Sequence, residues 1–98
     1  MAKKTYQSTD GTSFHGVTIR ASVDQLISAF GDPSMEYNTG EDKVNFEWDM
    51  ETDEGEVFAI YDWKYYRPLS SDEIVTWNIG AMSKSVSNDA ERELYKAL

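Results

Sequence analysis

Residues 43–60, "KVNFEWDMETDEGEVFAI", hold the pattern from which the fold of this chain is predicted. In the first half of this stretch, apolar residues alternate with polar or acidic ones. The apolar residues are Val44, Phe46, Trp48 and Met50. A period of two predicts a strand with one buried face. After a turn at "TDEG", "EVFAIYDWKYY" is apolar on both faces at its start, as a central strand is. The stretch therefore predicts two neighbouring antiparallel strands.

A helix is predicted on the N-terminal side of this pair, over about residues 22–30. Ser22 and Gln25 have the spacing of a capping box, and apolar residues follow at helical intervals. Gly31 suits the position after a helix, and Pro33 prevents its continuation. The apolar face of this helix is expected to pack on a sheet.

The C-terminal side of the pair adds a third strand and a second helix. "RPLSSD" reads as a loop and "EIVTWNIG" as a strand. In the last 18 residues, Val86, Ala90 and Leu94 recur at helical spacing, which predicts a helix from about Ser83 or Ser87 to the terminus.

The N-terminal segment is predicted to be extended, with Asp10-Gly11 as the turn of a short hairpin. The predicted order is β(β)-α-β-β-β-α: an antiparallel β-meander sheet with two helices on one face, in the α+β class. No linker or repeat interrupts the chain, so residues 1–98 are expected to form a single domain.

Two resemblances extend this interpretation. The passage from the helix through Gly-Asp-Pro to the Phe-x-Trp strand, about residues 22–80, is similar to the αβββ unit of beta-lactamase-inhibitor-protein and BamE-like folds. The stretch from "FEW" onward resembles small tailed-phage proteins with an "IYDWK-x-YR" strand end, intact here over 60–67, and an "IGG-x-S" step, altered here at Ala81. The second resemblance implies a phage-encoded accessory protein that acts in the host cell cytoplasm.

Composition and charge exclude several functional classes. Cysteine is absent, which excludes disulfides and zinc–thiolate sites. No window approaches 18 apolar residues, and the first residues lack the apolar core of a signal peptide, so neither a membrane span nor secretion is expected. Between residues 32 and 56, ten acidic residues and one lysine carry the whole net charge of −9. Direct DNA or RNA binding is not expected, because it needs a basic surface.

Catalysis is also not expected. The one histidine is His15, and the chain has neither a G-x-S-x-G nor an S-x-x-K motif. P-loop and EF-hand spacings are missing too, so we predict no metal and no cofactor.

Residues 61–69, "YDWKYYRPL", are the first candidate site, because they gather aromatic residues and two of the few cations. Alternation would place Tyr61, Trp63 and Tyr65 on one face. Tyr61 and Trp63 could be core side chains edged by Lys64 and Arg67, or the segment could grip a flat anionic ligand beside the "NIGAMSKS" step. The binding hypothesis names Trp63, Lys64, Tyr66, Arg67, Trp77, Ser83 and Lys84. The ligand would be a small nucleotide-derived immune signal, sequestered by a protein that is expected to be a homo-oligomer.

The acidic sector is the second candidate site. It could dock on the basic surface of a host defence protein, nuclease or polymerase as a nucleic-acid mimic, or it could serve solubility alone. The residues named for docking are Glu41, Asp42, Glu47, Asp49 and Glu51. A minor virion or assembly protein without a ligand is a third alternative. Because acidic excess needs no special explanation and clustered cations do, the sequence favours the ligand-binding hypothesis.

Overall fold

A six-stranded antiparallel sheet with two helices forms the fold, and the computed structural model describes all 98 residues. The strands are β1 (Lys3–Lys4), β2 (Ser13–Ala21), β3 (Met35–Glu36), β4 (Phe46–Glu51), β5 (Val57–Tyr61) and β6 (Val75–Ala81). They lie in the order β1-β4-β5-β6-β2, and β3 also pairs with β4. The strands β4, β5 and β6 are the predicted meander, so the α+β prediction is confirmed.

Both helices begin where their capping residues predict. Helix α1 (Val23–Phe30) has a complete capping box: the Gln25 backbone N–H donates to the Ser22 hydroxyl, and the Ser22 N–H donates to the Gln25 side chain. Helix α2 (Lys84–Ala97) starts after Ser83, whose hydroxyl accepts from the Val86 N–H. Neither helix combines the length and the apolar character that crossing a membrane requires.

The helices and the sheet share one hydrophobic core. Trp48 and Trp77 pack edge to face at its centre, with ring centroids 5.5 Å apart. The Trp48 indole N–H donates to the Gly31 carbonyl after α1, and the Trp77 indole N–H donates to the Ala21 carbonyl. Apolar residues of α1 and α2 join the same cluster, so both helices cover one face of the sheet and leave the other face free of helices.

The predicted N-terminal hairpin is wrong. Strand β1 pairs with β4, whereas β2 pairs with β6, so the two strands lie at opposite edges of the sheet. The chain does turn at Asp10-Gly11, where Gly11 has a φ of 85°, but the residues before the turn do not pair with those after it. The connecting segment instead crosses the helix-free face, and this crossing builds one wall of the candidate site.

Candidate functional site

The helix-free face of the sheet presents polar and small residues in register. On β4, Phe46, Trp48 and Met50 are buried, and the residues between them are half-buried on the opposite face. The predicted alternation is therefore confirmed within the strand. Glu47 lies opposite Tyr61, and Asp49 lies opposite Ala59, which in turn lies opposite Gly80.

A cavity of about 250 Å³ opens on this face. Its lining residues are Thr9, Thr12, Val44, Glu47, Ala59, Tyr61, Trp63 and Gly80. Ala59 and Gly80 are paired neighbours on β5 and β6, and their small size leaves a depression in the sheet. A Cβ atom at Gly80 would lie 3.2 Å from Cε1 of Tyr61, so the glycine leaves the space that this ring uses. The crossing segment supplies Thr9 and Thr12 above this floor.

Tyr61 and Trp63 form the aromatic wall of the cavity. Their rings meet edge to face, with centroids 6.0 Å apart, and Trp63 is 43% exposed. The ammonium groups of Lys43 and Lys64 lie 5.7 and 5.6 Å from the centre of the Trp63 ring. Cations at this distance are attracted by the ring face. An exposed aromatic ring of the cavity lining therefore has two positive charges beside it, and both lysines lie outside the lining itself.

Glu47 is the carboxylic acid of the cavity lining. The pKa of Glu47 is raised from its ordinary 4.5 to about 7. Burial is the largest cause, and a hydrogen bond to the Asp49 side chain and the charge of Asp49 add to it. Asp49 Oδ1 is buried and has no hydrogen-bond partner. The Glu47 carboxyl can thus donate to Asp49 when protonated and accept from a ligand when ionised. No three His, Asp or Glu side chains lie together as a metal-binding group.

The predicted two-face alternation of "YDWKYYR" ends with the strand. Strand β5 stops at Tyr61, and both Lys64 and Tyr66 adopt left-handed backbone conformations, with φ of 58° and 51°. Such conformations are uncommon for residues other than glycine, and they break the period of two. As a result the Lys64 ammonium lies over the Trp63 ring instead of on the opposite face.

Asp62, which follows β5, is a buried structural residue. Its Oδ1 accepts from the backbone N–H groups of Asn45 and Phe46, both at 2.8 Å, and its Oδ2 accepts from Asn45 Nδ2 at 3.0 Å. Asn45 Nδ2 also donates to the Arg67 carbonyl at 3.1 Å. These bonds fix the loop before β4 against the segment after β5, and so they position Lys43 and Trp63 beside each other.

Tyr65 and Arg67 also have structural partners. Tyr65 packs against the core, and its hydroxyl accepts from the Thr76 N–H at 2.9 Å. The Arg67 guanidinium lies 5.4 Å from the Tyr65 ring and donates to both carboxylate oxygens of Glu73, at 2.9 and 2.5 Å. These bonds hold the pKa of Glu73 below its ordinary value. Tyr65 therefore packs against the core, whereas Trp63, which the core interpretation places there, is exposed.

The predicted meeting of "YDWKYYR" with Ser83 and Lys84 does not occur. Strands β5 and β6 are antiparallel, with Tyr61 opposite Asn78 and Phe58 opposite Ala81. The end of β5 therefore lies beside the start of β6, whereas Ser83 and Lys84 follow the end of β6. They sit at the other end of the sheet, and the Ser83 hydroxyl is engaged in capping α2.

Two further site predictions change in the structure. Trp77 is fully buried in the core, so the prediction that it contacts a ligand is wrong. Tyr66 is 54% exposed and accessible. The acidic residues predicted as a separate site lie in two places. Glu41 and Asp42 are exposed in the loop before β4. The side chains of Glu47, Asp49 and Glu51 point to the helix-free face of the sheet. Because Glu47 lines the same cavity as Trp63, the two predicted sites overlap.

Sequence reasoning missed most of the cavity. In the sequence, Lys43, which lies over the Trp63 ring, stands out only as the single cation of the acidic sector, and Ala59 and Gly80 only as residues of predicted strands. The small-residue pair is a usable signal, because two small residues opposite each other on adjacent strands leave a gap in the sheet surface. No such signal marks Thr9 and Thr12, which reach the cavity only because the N-terminal segment crosses the sheet.

Comparisons with protein-family models, curated proteins and solved structures gave no match.

Proposed function

We propose that this chain is a non-enzymatic binding module that sequesters a small nucleotide-derived ligand in the cavity on the helix-free face of the sheet. The observation that carries the proposal is the exposed Trp63 ring at the cavity wall, with the ammonium groups of Lys43 and Lys64 beside it. Aromatic side chains stack on bases, and ammonium groups bind phosphates. The protein supplies both kinds of contact within one site.

The size of the cavity supports partial burial of such a ligand. Pockets that bury a whole drug-sized molecule measure roughly 300–1,000 Å³. At about 250 Å³ this cavity is smaller, so it suits one ring system and leaves the rest of the ligand outside. A base would lie against the Tyr61 and Trp63 rings, because the Tyr61 ring itself uses the space over Gly80. The sugar and phosphates would stay at the rim, close to Lys43 and Lys64.

The biological setting of the proposal comes from the sequence resemblance. The "IYDWK-x-YR" motif resembles small tailed-phage proteins, and a phage protein that removes a nucleotide-derived signal would protect the phage from host defence. Such a protein would act in the host cytoplasm. Because the cavity is open, a second copy of the chain that covered it would increase the buried surface of the ligand, and this favours a homo-oligomer.

Thermal unfolding with a panel of mononucleotides and cyclic dinucleotides tests the proposal. Ligand at about 100-fold above its dissociation constant adds roughly 2.7 kcal/mol, and each kcal/mol raises the midpoint by about 4–8 °C in a domain of this size. Ala59→Leu, which fills the cavity, is expected to lose the shift, measured against its own ligand-free midpoint. Lys84→Ala at the other end of the sheet should keep it. Flat traces for every ligand would overturn the proposal.

A second function is favoured by the row of carboxylates on β4. Glu47, Asp49 and Glu51 point to the same helix-free face, so they could dock on a basic surface of a host nuclease or polymerase. Glu51→Lys reverses one charge of this row outside the cavity lining. This variant is expected to lose inhibition of such an enzyme while it keeps nucleotide binding. Unchanged inhibition would contradict this second function.

A further inference from the structure

Two polar groups of the cavity lining, Thr12 and Glu47, can accept hydrogen bonds from a ligand. The Thr12 hydroxyl donates its proton to the Thr9 carbonyl at 2.7 Å, so its oxygen faces the cavity as an acceptor. An ionised Glu47 carboxylate has no proton to donate and offers two acceptor oxygens. Asp49, beside Glu47, has a buried oxygen without a hydrogen-bond partner. The cavity thus suits a ligand edge that carries N–H donors.

We propose that the cavity selects guanine over adenine, because guanine presents two adjacent N–H donors, its N1–H and its 2-amino group, to the Glu47 carboxylate. This inference rests on the function proposed above and specifies the base. Adenine presents one amino donor next to an acceptor nitrogen, so it leaves one carboxylate oxygen facing a lone pair. An unpaired buried polar group costs more than the hydrogen bond itself contributes.

The same geometry links binding to proton release. Two donors from the ligand match only the ionised form of Glu47, so guanine binding displaces the proton of this carboxyl. The titratable groups facing Glu47 are Asp49 on its own strand and Tyr61 on β5, and Lys43 and Lys64 lie next to Trp63 at the cavity. Met35 on β3 and the two threonines of the crossing segment carry no titratable group. Burial and Asp49 both oppose the ionisation of Glu47.

Calorimetric titration of the full chain with GMP, IMP and AMP tests the inference. Measurements at about pH 6 and about pH 8 bracket the Glu47 pKa of about 7. At the higher pH we expect GMP to bind at least about tenfold more tightly than AMP, because only the guanine edge donates to both oxygens of the Glu47 carboxylate. IMP, which lacks the 2-amino group, should fall between them. The affinity for GMP should fall several-fold at the lower pH.

Glu47→Gln separates this inference from a general role of the cavity. Glutamine offers only one acceptor oxygen, so the variant should lose both the preference for GMP and its pH dependence. Glu51→Gln, on the same face but outside the cavity lining, should keep both. Equal affinity for GMP and AMP, with both lost in Ala59→Leu, would overturn the choice of base but leave the proposed function in place. Absence of binding by all three nucleotides would overturn the choice of base, and absence of binding by the cyclic dinucleotides as well would overturn both.

Discussion

Asn45 and Asp62 form a buried pair in which both Asp62 oxygens accept hydrogen bonds from Asn45, at 2.8 Å from its backbone N–H and 3.0 Å from its Nδ2. Both residues are fully buried, and the Asn45 side chain also accepts from the Gly40 N–H and donates to the Arg67 carbonyl. The pair therefore joins the loop before β4 to the segment after β5. Since these segments carry Lys43 and Trp63, the pair determines the geometry at the cavity.

Asp62→Ala should destabilise the protein strongly. It leaves the N–H groups of Asn45 and Phe46 and the Asn45 amide without their acceptor, and hydrogen bonds to charged groups are worth about 1.5–3 kcal/mol each. Because these terms are not additive, we expect a loss of about 3–5 kcal/mol in the free energy of unfolding, measured by urea denaturation. The exposed Asp72→Ala is the matched control. A loss for Asp62→Ala as small as that of the control would contradict the structural role.

Gly40→Ala should cost more stability than Gly55→Ala, although both glycines have similar φ angles of 79° and 82°. A Cβ at Gly40 would lie 2.6 Å from the Cα of Arg67, whereas at Gly55 the nearest atom is 3.9 Å away. Both variants carry the strain of a positive φ, about 1 kcal/mol, and only Gly40→Ala adds a collision with backbone. Equal midpoints in urea for the two variants would show that the loop is not pressed against Arg67.

Tyr65→Phe should reduce the free energy of unfolding by about 1–2 kcal/mol, because it removes the hydroxyl that accepts from the Thr76 N–H. Tyr66→Phe should have little effect, since Tyr66 is 54% exposed. Chemical denaturation of the two variants side by side measures the difference. If both variants matched the wild type, the hydroxyl of Tyr65 would have no role in joining the segment to β6.

The stability of the protein should fall as the pH rises through neutrality, because Glu47 has a raised pKa in the folded state. The folded state binds more protons than the unfolded state between about 4.5 and about 7. The contribution is therefore fully present below 4.5 and lost as the pH passes 7. Solvent screening at this half-exposed group reduces the effect to about 1 kcal/mol.

Glu47→Gln tests this dependence directly. The variant should lose the part of the stability change that occurs between about pH 4.5 and about pH 7. It should also be more stable than the wild type at the upper end of the range. Glu54→Gln, an exposed carboxylate, is the control. A pH profile of Glu47→Gln that overlays the wild-type profile would contradict the raised pKa.

Much of the fold could be predicted because its signals are local. The capping box at Ser22 and Gln25 sets the start of α1, and the alternation around Trp48 sets the buried face of β4. The N-terminal pairing was not predictable in this way, since β1 and β2 find their partners in distant strands. A dipeptide such as Asp10-Gly11 indicates a turn, but it does not indicate which strands the flanking residues pair with.

The site was predicted less well than the fold. The sequence singled out Trp63 and Lys64, which do lie together, but joined them to Ser83 and Lys84 at the wrong end of the sheet. The direction of neighbouring strands decides which ends meet, and in an antiparallel meander these two ends do not. The left-handed conformations at Lys64 and Tyr66 were also invisible to pattern analysis, because neither residue is a glycine.

The most direct test is to map the amide chemical shifts of the protein while GMP is added. Binding in the cavity predicts shifts grouped at Thr9, Thr12, Ala59 and Gly80 and at the Trp63 indole, with Ser83 and Lys84 unchanged. Shifts centred on Ser83 and Lys84, or no shifts for GMP or any other nucleotide tested, would contradict a ligand site on the helix-free face of the sheet.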